Sequence, residues 1–225
     1  MYPTQYRVKC IKKSVAGINK SLRYYLRIDF QNNKTDCMTW IMMNPSTADE
    51  ENYDETIKDI FEFAEKQMIV LNTERKISSV GKICVLNLFP IYQSKSNELY
   101  NDLSRVMNPE TILREIRFNN RVISRAIWSS KYIVLAWGDP PHKMNHFLYY
   151  SQVQKIMKMI MEKGKDRIYV IQTKKYKMTL TERGSPRHPG RKAGIIGLKK
   201  CMIGDFEEVK VLKKLKQHNE LNNVH

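Results

Sequence analysis

Met38-Thr39-Trp40-Ile41-Met42-Met43 runs directly into Asn44-Pro45-Ser46-Thr47-Ala48-Asp49. The first stretch is short and apolar and reads as a buried strand; the second is polar, with a proline behind an asparagine, and reads as the turn that ends it. The same succession recurs three times. Residues 82–86 lead into Asn87-Leu88-Phe89-Pro90, and residues 132–136 into Trp137-Gly138-Asp139. Residues 167–172 precede a longer loop ending Gly184-Ser185-Pro186-Arg187-His188-Pro189-Gly190. If the four strands are parallel, all four loops leave along one edge of a sheet. In open α/β folds ligands bind at that carboxyl edge, so the pattern points to a single catalytic cleft.

The intervening segments supply the helices. Asp54 is placed to cap a helix of about 14 residues whose Ile57, Ile60, Phe61, Ala64 and Met68 recur at i, i+3, i+4 spacing. Pro109 opens a helix that runs to about residue 129, with Ile112, Leu113, Ile116, Val122, Ile123, Ala126 and Ile127 as its apolar stripe. A third helix covers residues 145–163 and stops at Gly164. Residues 24–30 make an opening strand, with a second edge strand in the basic segment 9–23. Residues 90–108 form the longest irregular stretch. Strand–helix alternation repeated three times predicts an α/β fold, a three-layer α/β/α arrangement with a mostly parallel central sheet. One domain over residues 1–207 is expected, followed by a basic helix or tail over 208–225.

Length and composition agree with a folded domain: 225 residues, 42% hydrophobic and 10% aromatic. Thirty-nine Lys and Arg against 23 Asp and Glu leave a net charge of +16. Such a field gathers polyanions, nucleic acid above all, although scattered lysines also serve solubility alone. The cysteines at 10, 37, 84 and 201 show no paired spacing, which argues against a disulfide framework and a Cys₄ metal site. The first residues lack the apolar core of a secretory signal, and no run is long enough to span a bilayer. A soluble, cytoplasmic, monomeric protein with no membrane partner is expected.

Several side chains at the strand ends could carry chemistry. Asn44 presents an amide, donor and acceptor both, on a loop stiffened by Pro45; Asn-Pro is also an ordinary turn. Asn87 repeats the amide one strand later, where it could pair with the edge of a nucleobase. Phe89 is close enough to stack on that base, although an aromatic at a strand end is commonly core. His188 sits in a loop constrained by glycine and proline and could donate a hydrogen bond to developing negative charge. Arg183, Arg187, Arg191 and Lys192 surround it and suit phosphate contacts. His142 and His146 could share a helix face as metal ligands, but only Asp139 offers a third ligand nearby. A P-loop, a G-x-G-x-x-G and a serine nucleophile elbow are all absent from the sequence.

Together, Asn44-Pro45-Ser46-Thr47-Ala48-Asp49, Asn87-Leu88-Phe89, Ala136-Trp137-Gly138 and Gly184-Ser185-Pro186-Arg187-His188-Pro189 resemble a domain-of-unknown-function family of bacteria and phages, from about Arg23 to Gly190. More distantly, the order of Asn44-Pro45, Asn87, Trp137-Gly138 and His188-Pro189 is similar to that of the uracil-DNA glycosylase superfamily. That resemblance implies a glycosylase-like α/β fold in which Asn44 positions the attacking water, Asn87 reads the flipped base and His188 stabilises the departing base anion. The chain departs from that pattern at Met43 and Ser46, which replace flanking glycines. It departs again at Gly190-Arg191-Lys192, which stands where an apolar wedge usually follows His-Pro. Asp49 and Asp54 are alternative catalytic carboxylates.

The expected site therefore has Asn44, Asp49 and His188 as catalytic groups, and Asn87, Phe89, Asp54 and Pro45 around the base. Ser46, Thr47, Ser185, Arg183, Arg187, Arg191 and Lys192 lie along the DNA, with no metal and no cofactor. The expected activity is hydrolysis of the N-glycosidic bond of a modified or damaged base in DNA. Two alternatives stand beside it: an enzyme acting on free nucleosides or nucleotides, and a binder that sequesters nucleic acid or a protein without turnover.

Overall fold

The computed structural model describes residues 1–14, 21–66, 68–71, 75–94, 109–142, 144, 146–164, 166–190 and 194–206. In chain order these form β1 (Arg7–Ser14), β2 (Ser21–Asp29), β3 (Asp36–Met42), α1 (Glu55–Glu65), β4 (Met68–Val70), β5 (Arg75–Ile77) and β6 (Val80–Asn87). There follow α2 (Pro109–Ser129), β7 (Tyr132–Leu135), α3 (His146–Glu162), β8 (Ile168–Thr173) and β9 (Ile195–Cys201). The expected tail over 208–225 lies outside the described residues.

The strands make one sheet in the order β1-β2-β6-β3-β7-β8-β9-β4-β5. Its centre, β6-β3-β7-β8, is parallel throughout, so the four strand-to-loop junctions do share one carboxyl edge. The expectation of a mostly parallel sheet needs correction. β1, β2 and β6 pair antiparallel on one side, as do β8 with β9 and β4 with β5 on the other. Strands outside the crossover units are reached by hairpins or returning loops, which favour antiparallel pairing. The outermost strands carry basic exposed side chains, Arg7 and Lys9 on β1 and Arg75 and Lys76 on β5.

Helix α1 begins where the capping residue dictates: Asp54 is in extended backbone and its carboxylate accepts from the Ile57 N–H at 2.9 Å. It buries Ile57, Ile60, Phe61 and Ala64 against one face of the sheet, on Met38, Trp40, Ile83, Val85 and Val134. Met68, expected to extend that stripe, instead opens β4. Helices α2 and α3 cover the other face, where Ile123, Ile127, Val153, Ile156 and Ile160 pack on Cys37, Ile41, Leu86, Leu135 and Val170. The chain therefore leaves β3 toward one face and β6 toward the other, and the β3–β6 boundary is a topological switch point.

Strand β2 contains an irregularity with consequences for the site. Ile11 and Lys12 are consecutive on β1, yet they face Tyr25 and Arg23, so Tyr24 is an extra residue. Such a bulge reverses the alternation of side chains beyond it. Leu22, Tyr24 and Tyr25 all pack on the α2–α3 side, and Arg23 is turned to the α1 side, under the carboxyl edge. Among the described residues no helix is long and apolar enough to cross a membrane.

Candidate functional site

The floor of the edge is set by β6. Leu88 and Phe89 continue its pairing with β3, their N–H groups donating to the carbonyls of Met42 and Met43. From below, the Asn119 amide of α2 donates to the carbonyls of Asn87 and Leu88 at 2.9 and 3.2 Å. Gln152 of α3 donates to the same Leu88 carbonyl at 3.0 Å and to Asn120. This network of buried amides fixes the turn that presents Asn87.

Asn87 itself is fully buried. Arg23, 1% exposed, donates from one terminal nitrogen to Asn87 Oδ1 at 3.0 Å and from the other to the Ala48 carbonyl at 2.8 Å. Its Nε and the Asn87 Nδ2 have no protein partner among the described residues. The ring of Tyr92 lies 5.8 Å from the guanidinium, and its hydroxyl donates to the Ala48 carbonyl. A buried arginine held by a carbonyl and an amide, with no carboxylate in ion-pair range among the described residues, is unusual. Sequence reasoning passed over it; a lone arginine in an alternating strand reads as solvent-facing.

The Asn44 loop follows the outward turn of β3. Asn44 Nδ2 donates to the Gln93 carbonyl at 2.5 Å and the Pro45 carbonyl at 3.1 Å, which leaves Oδ1 as the acceptor without a protein donor among the described residues. The loop is joined to α1 through Thr47, whose N–H lies 3.5 Å from Asp54 Oδ2. Asp54 thus caps the helix with one oxygen and faces the loop with the other.

His188 completes the edge from the far side. Gly138, just beyond β7, donates its N–H to the Pro186 carbonyl at 2.8 Å, and its own carbonyl accepts from the Tyr149 hydroxyl at 2.6 Å. A Cβ on Gly138 would lie 3.3 Å from that of His188, and φ is +75°, so only glycine fits this crossing without strain. On its other flank His188 lies beside Gly190, which in turn approaches Thr56 in the first turn of α1. The Gly190 N–H donates to His188 Nδ1 at 3.0 Å. Burial pushes the imidazole down to about 4, against the opposing pull of the Asp54 carboxylate. His188 is therefore neutral at neutral pH, and with Nδ1 accepting, its proton sits on Nε2.

Asn44, Asp54, Asn87, Gly138 and His188 thus all belong to the carboxyl edge, on the α1 side. Other expected residues fall elsewhere. Phe89 is fully buried in the core beneath α2 and α3 and offers no ring face to a base. Ser185, expected to touch DNA, is 1% exposed, its N–H bonded to Thr181 Oγ1. Asp49 uses Oδ1 to accept from the N–H groups of Glu51 and Asn52, and Oδ2 to pair with Lys12. Pro45 is buried, Ser46 half-buried beside Ser94 and Thr47 exposed. Arg183 is exposed, while Arg187 donates to the Met178 carbonyl and stacks over Tyr176 at 4.1 Å. Arg191 and Lys192 lie outside the described residues. Asp139 accepts from the Thr181 hydroxyl at 2.6 Å, and among the described residues no three His, Cys, Asp or Glu side chains gather as metal ligands.

The chain belongs to the family described as protein of unknown function (DUF1643), whose model matches residues 23–190. No curated protein and no solved structure matches it. The matched segment opens at the buried Arg23 and closes at Gly190, whose N–H holds His188.

Proposed function

We propose that this member of a family of unknown function hydrolyses the N-glycosidic bond of a modified or damaged base in DNA, on a site like that of the uracil-DNA glycosylases. The observation that carries the reading is the hydrogen bond from the Gly190 N–H to His188 Nδ1, which leaves Nε2 as the donor of the ring. A donor of this kind suits a leaving group that departs as an anion. In the proposed reaction a water oxygen, oriented by Asn44 Oδ1, bonds to the sugar C1′ as the C1′–N bond breaks. The bonding pair leaves on the base nitrogen, where the Nε2–H of His188 stabilises it, and the proton lost by water goes to Asp54 or to solvent.

Asn87 Nδ2, a buried donor with no partner among the described residues, would pair with an acceptor on the base. Reaching it requires the nucleotide to swing out of the stack and the cover formed by Arg23 and Tyr92 to yield. That cover also supports a second reading, a binder that holds nucleic acid without turnover. One experiment separates the two: oligonucleotides bearing a panel of modified bases are incubated with the protein, and released bases are identified by mass spectrometry. Release of one base, strongly slowed in His188→Ala, is expected; binding without release across the panel would sink the hydrolase reading.

A further inference from the structure

Helix α2 is amphipathic in an uncommon way. Its buried face is made by Glu115, Asn119, Ile123, Ala126 and Ile127. On the opposite face Arg114, Arg117, Arg121 and Arg125, all exposed, fall within about 80° of arc at 100° per residue. The acidic residues of this helix are Glu110, in its first turn, and Glu115, which is buried and shared by Lys13, Arg114 and the Tyr24 hydroxyl. The outer stripe beyond the first turn is therefore of one sign, whereas a solvated helix face ordinarily mixes charges.

Two aromatic rings sit in the same stripe. Phe118 is 38% exposed and Trp128 67% exposed. The Arg121 guanidinium lies 5.8 Å from the Phe118 ring, and the Lys163 ammonium 4.1 Å from that of Trp128. Along the N-terminal half of the stripe runs a groove of about 410 Å³ against β1 and β2, lined also by Lys12 and by Lys13 with its partner Glu115.

We propose that the outer face of α2 is a binding surface for single-stranded nucleic acid, separate from the carboxyl-edge site and independent of the reaction assigned to it. Arginines one turn apart, about 6 Å along the axis, follow a backbone that carries one phosphate per nucleotide. The aromatic rings between them are platforms for unpaired bases, whose faces a duplex keeps hidden. This combination favours a single strand over a duplex, which would use the arginines alone, and over a lipid surface, which would call for an aliphatic stripe.

The test is fluorescence anisotropy with a labelled oligo-dT strand, a duplex of equal length, polyglutamate and phosphatidylserine vesicles. The strand is expected to bind tightest. Arg117→Ala/Arg121→Ala/Arg125→Ala should lower the slope of log K against log salt by about 2, at about 0.7 per single-strand contact. Phe118→Ala/Trp128→Ala should weaken binding roughly thirtyfold or more and leave the salt slope unchanged. The lysine triple Arg117→Lys/Arg121→Lys/Arg125→Lys keeps the charge and should retain most of the slope. A control triple at exposed positions outside α2, Lys66→Ala/Lys76→Ala/Lys199→Ala, should do little. Equal weakening by that control would assign the binding to net charge. Duplex or vesicle binding as tight as that of the strand, or indifference to both α2 sets, would also overturn the proposal.

Discussion

Arg23 donates to the side-chain oxygen of Asn87 at 3.0 Å, and both residues are almost wholly inaccessible to solvent. The bond fixes which end of the amide is free: Oδ1 is taken by the guanidinium, so Nδ2 is the group left over. Removing Arg23 strands the Asn87 oxygen, leaves the Ala48 carbonyl to the Tyr92 hydroxyl alone and opens a cavity. Arg23→Ala should cost about 1–3 kcal/mol for the unsatisfied amide oxygen, and the cavity adds to this. Arg23→Lys, which keeps the charge but not the planar fork, should recover only part of it. Chemical denaturation of the two variants reads this directly.

Asn87→Asp tests recognition with the acceptor of Arg23 kept, whereas Asn87→Ala also deprives the buried guanidinium of that acceptor. Alanine removes the free donor and should blur the choice among substrate bases. Aspartate keeps the oxygen facing Arg23 and replaces the free donor with an acceptor, so it should invert any preference for bases that present an acceptor there. Competition between modified-base oligonucleotides measures both outcomes.

His188 takes up a proton near its ordinary value of 6.5 in the unfolded chain, but only at about 4 in the folded protein. Between those values the unfolded state binds the extra proton. Stability therefore rises with pH through this window and is lost as pH falls from 6.5 toward 4. His188→Ala should flatten that limb of the stability curve. It should also lower single-turnover base release by roughly 10²–10³-fold. In the wild type, release should show no inflection from this histidine between about pH 5 and 8.

Asp54 has two tasks that separate by substitution. Asp54→Asn keeps an acceptor for the α1 N-terminus but removes the charge facing His188, so helix stability should hold while the imidazole titrates still lower. Asp54→Ala loses the cap as well and should cost about 1 kcal/mol. NMR titration of the imidazole and thermal melts distinguish the two effects.

Asn44→Asp offers a sharper contrast than alanine. The wild-type Nδ2 donates to two carbonyls, of Gln93 and Pro45, and a carboxylate oxygen in its place would meet both as a third acceptor. Asn44→Asp should therefore melt lower than Asn44→Ala, whose loss is about 1–2 kcal/mol of hydrogen bonding.

The strand ends were legible in the sequence because the apolar runs and turn residues that mark them are local. The Asp54 cap and the start of α2 at Pro109 were readable on the same grounds. What escaped depends on pairing. The bulge at Tyr24 is defined only against β1, and no feature of residues 21–29 alone says that Arg23 turns inward. β4 and β5 have three residues each, too few to show a period, and β9 mixes Gly197 and two lysines into its run. Burial of Phe89 and Ser185 is decided by what packs over them from α2, α3 and residues 179–181. Likewise Cys37 and Cys84, 47 positions apart, bring their sulfurs to 3.3 Å only because β3 and β6 are neighbours.

The basic outer strands bear on how this chain behaves in concentrated solution. Among the described residues the first and last strands of the sheet are β1 and β5, whose outer backbone would face any other strand, including that of a second molecule. Arg7 and Lys9 on one side and Arg75 and Lys76 on the other oppose that encounter, since copies meeting strand to strand must bring like charges together. This protection is electrostatic and fades as salt screens it. The protein should therefore keep best in dilute buffer, and high salt should make it prone to aggregate.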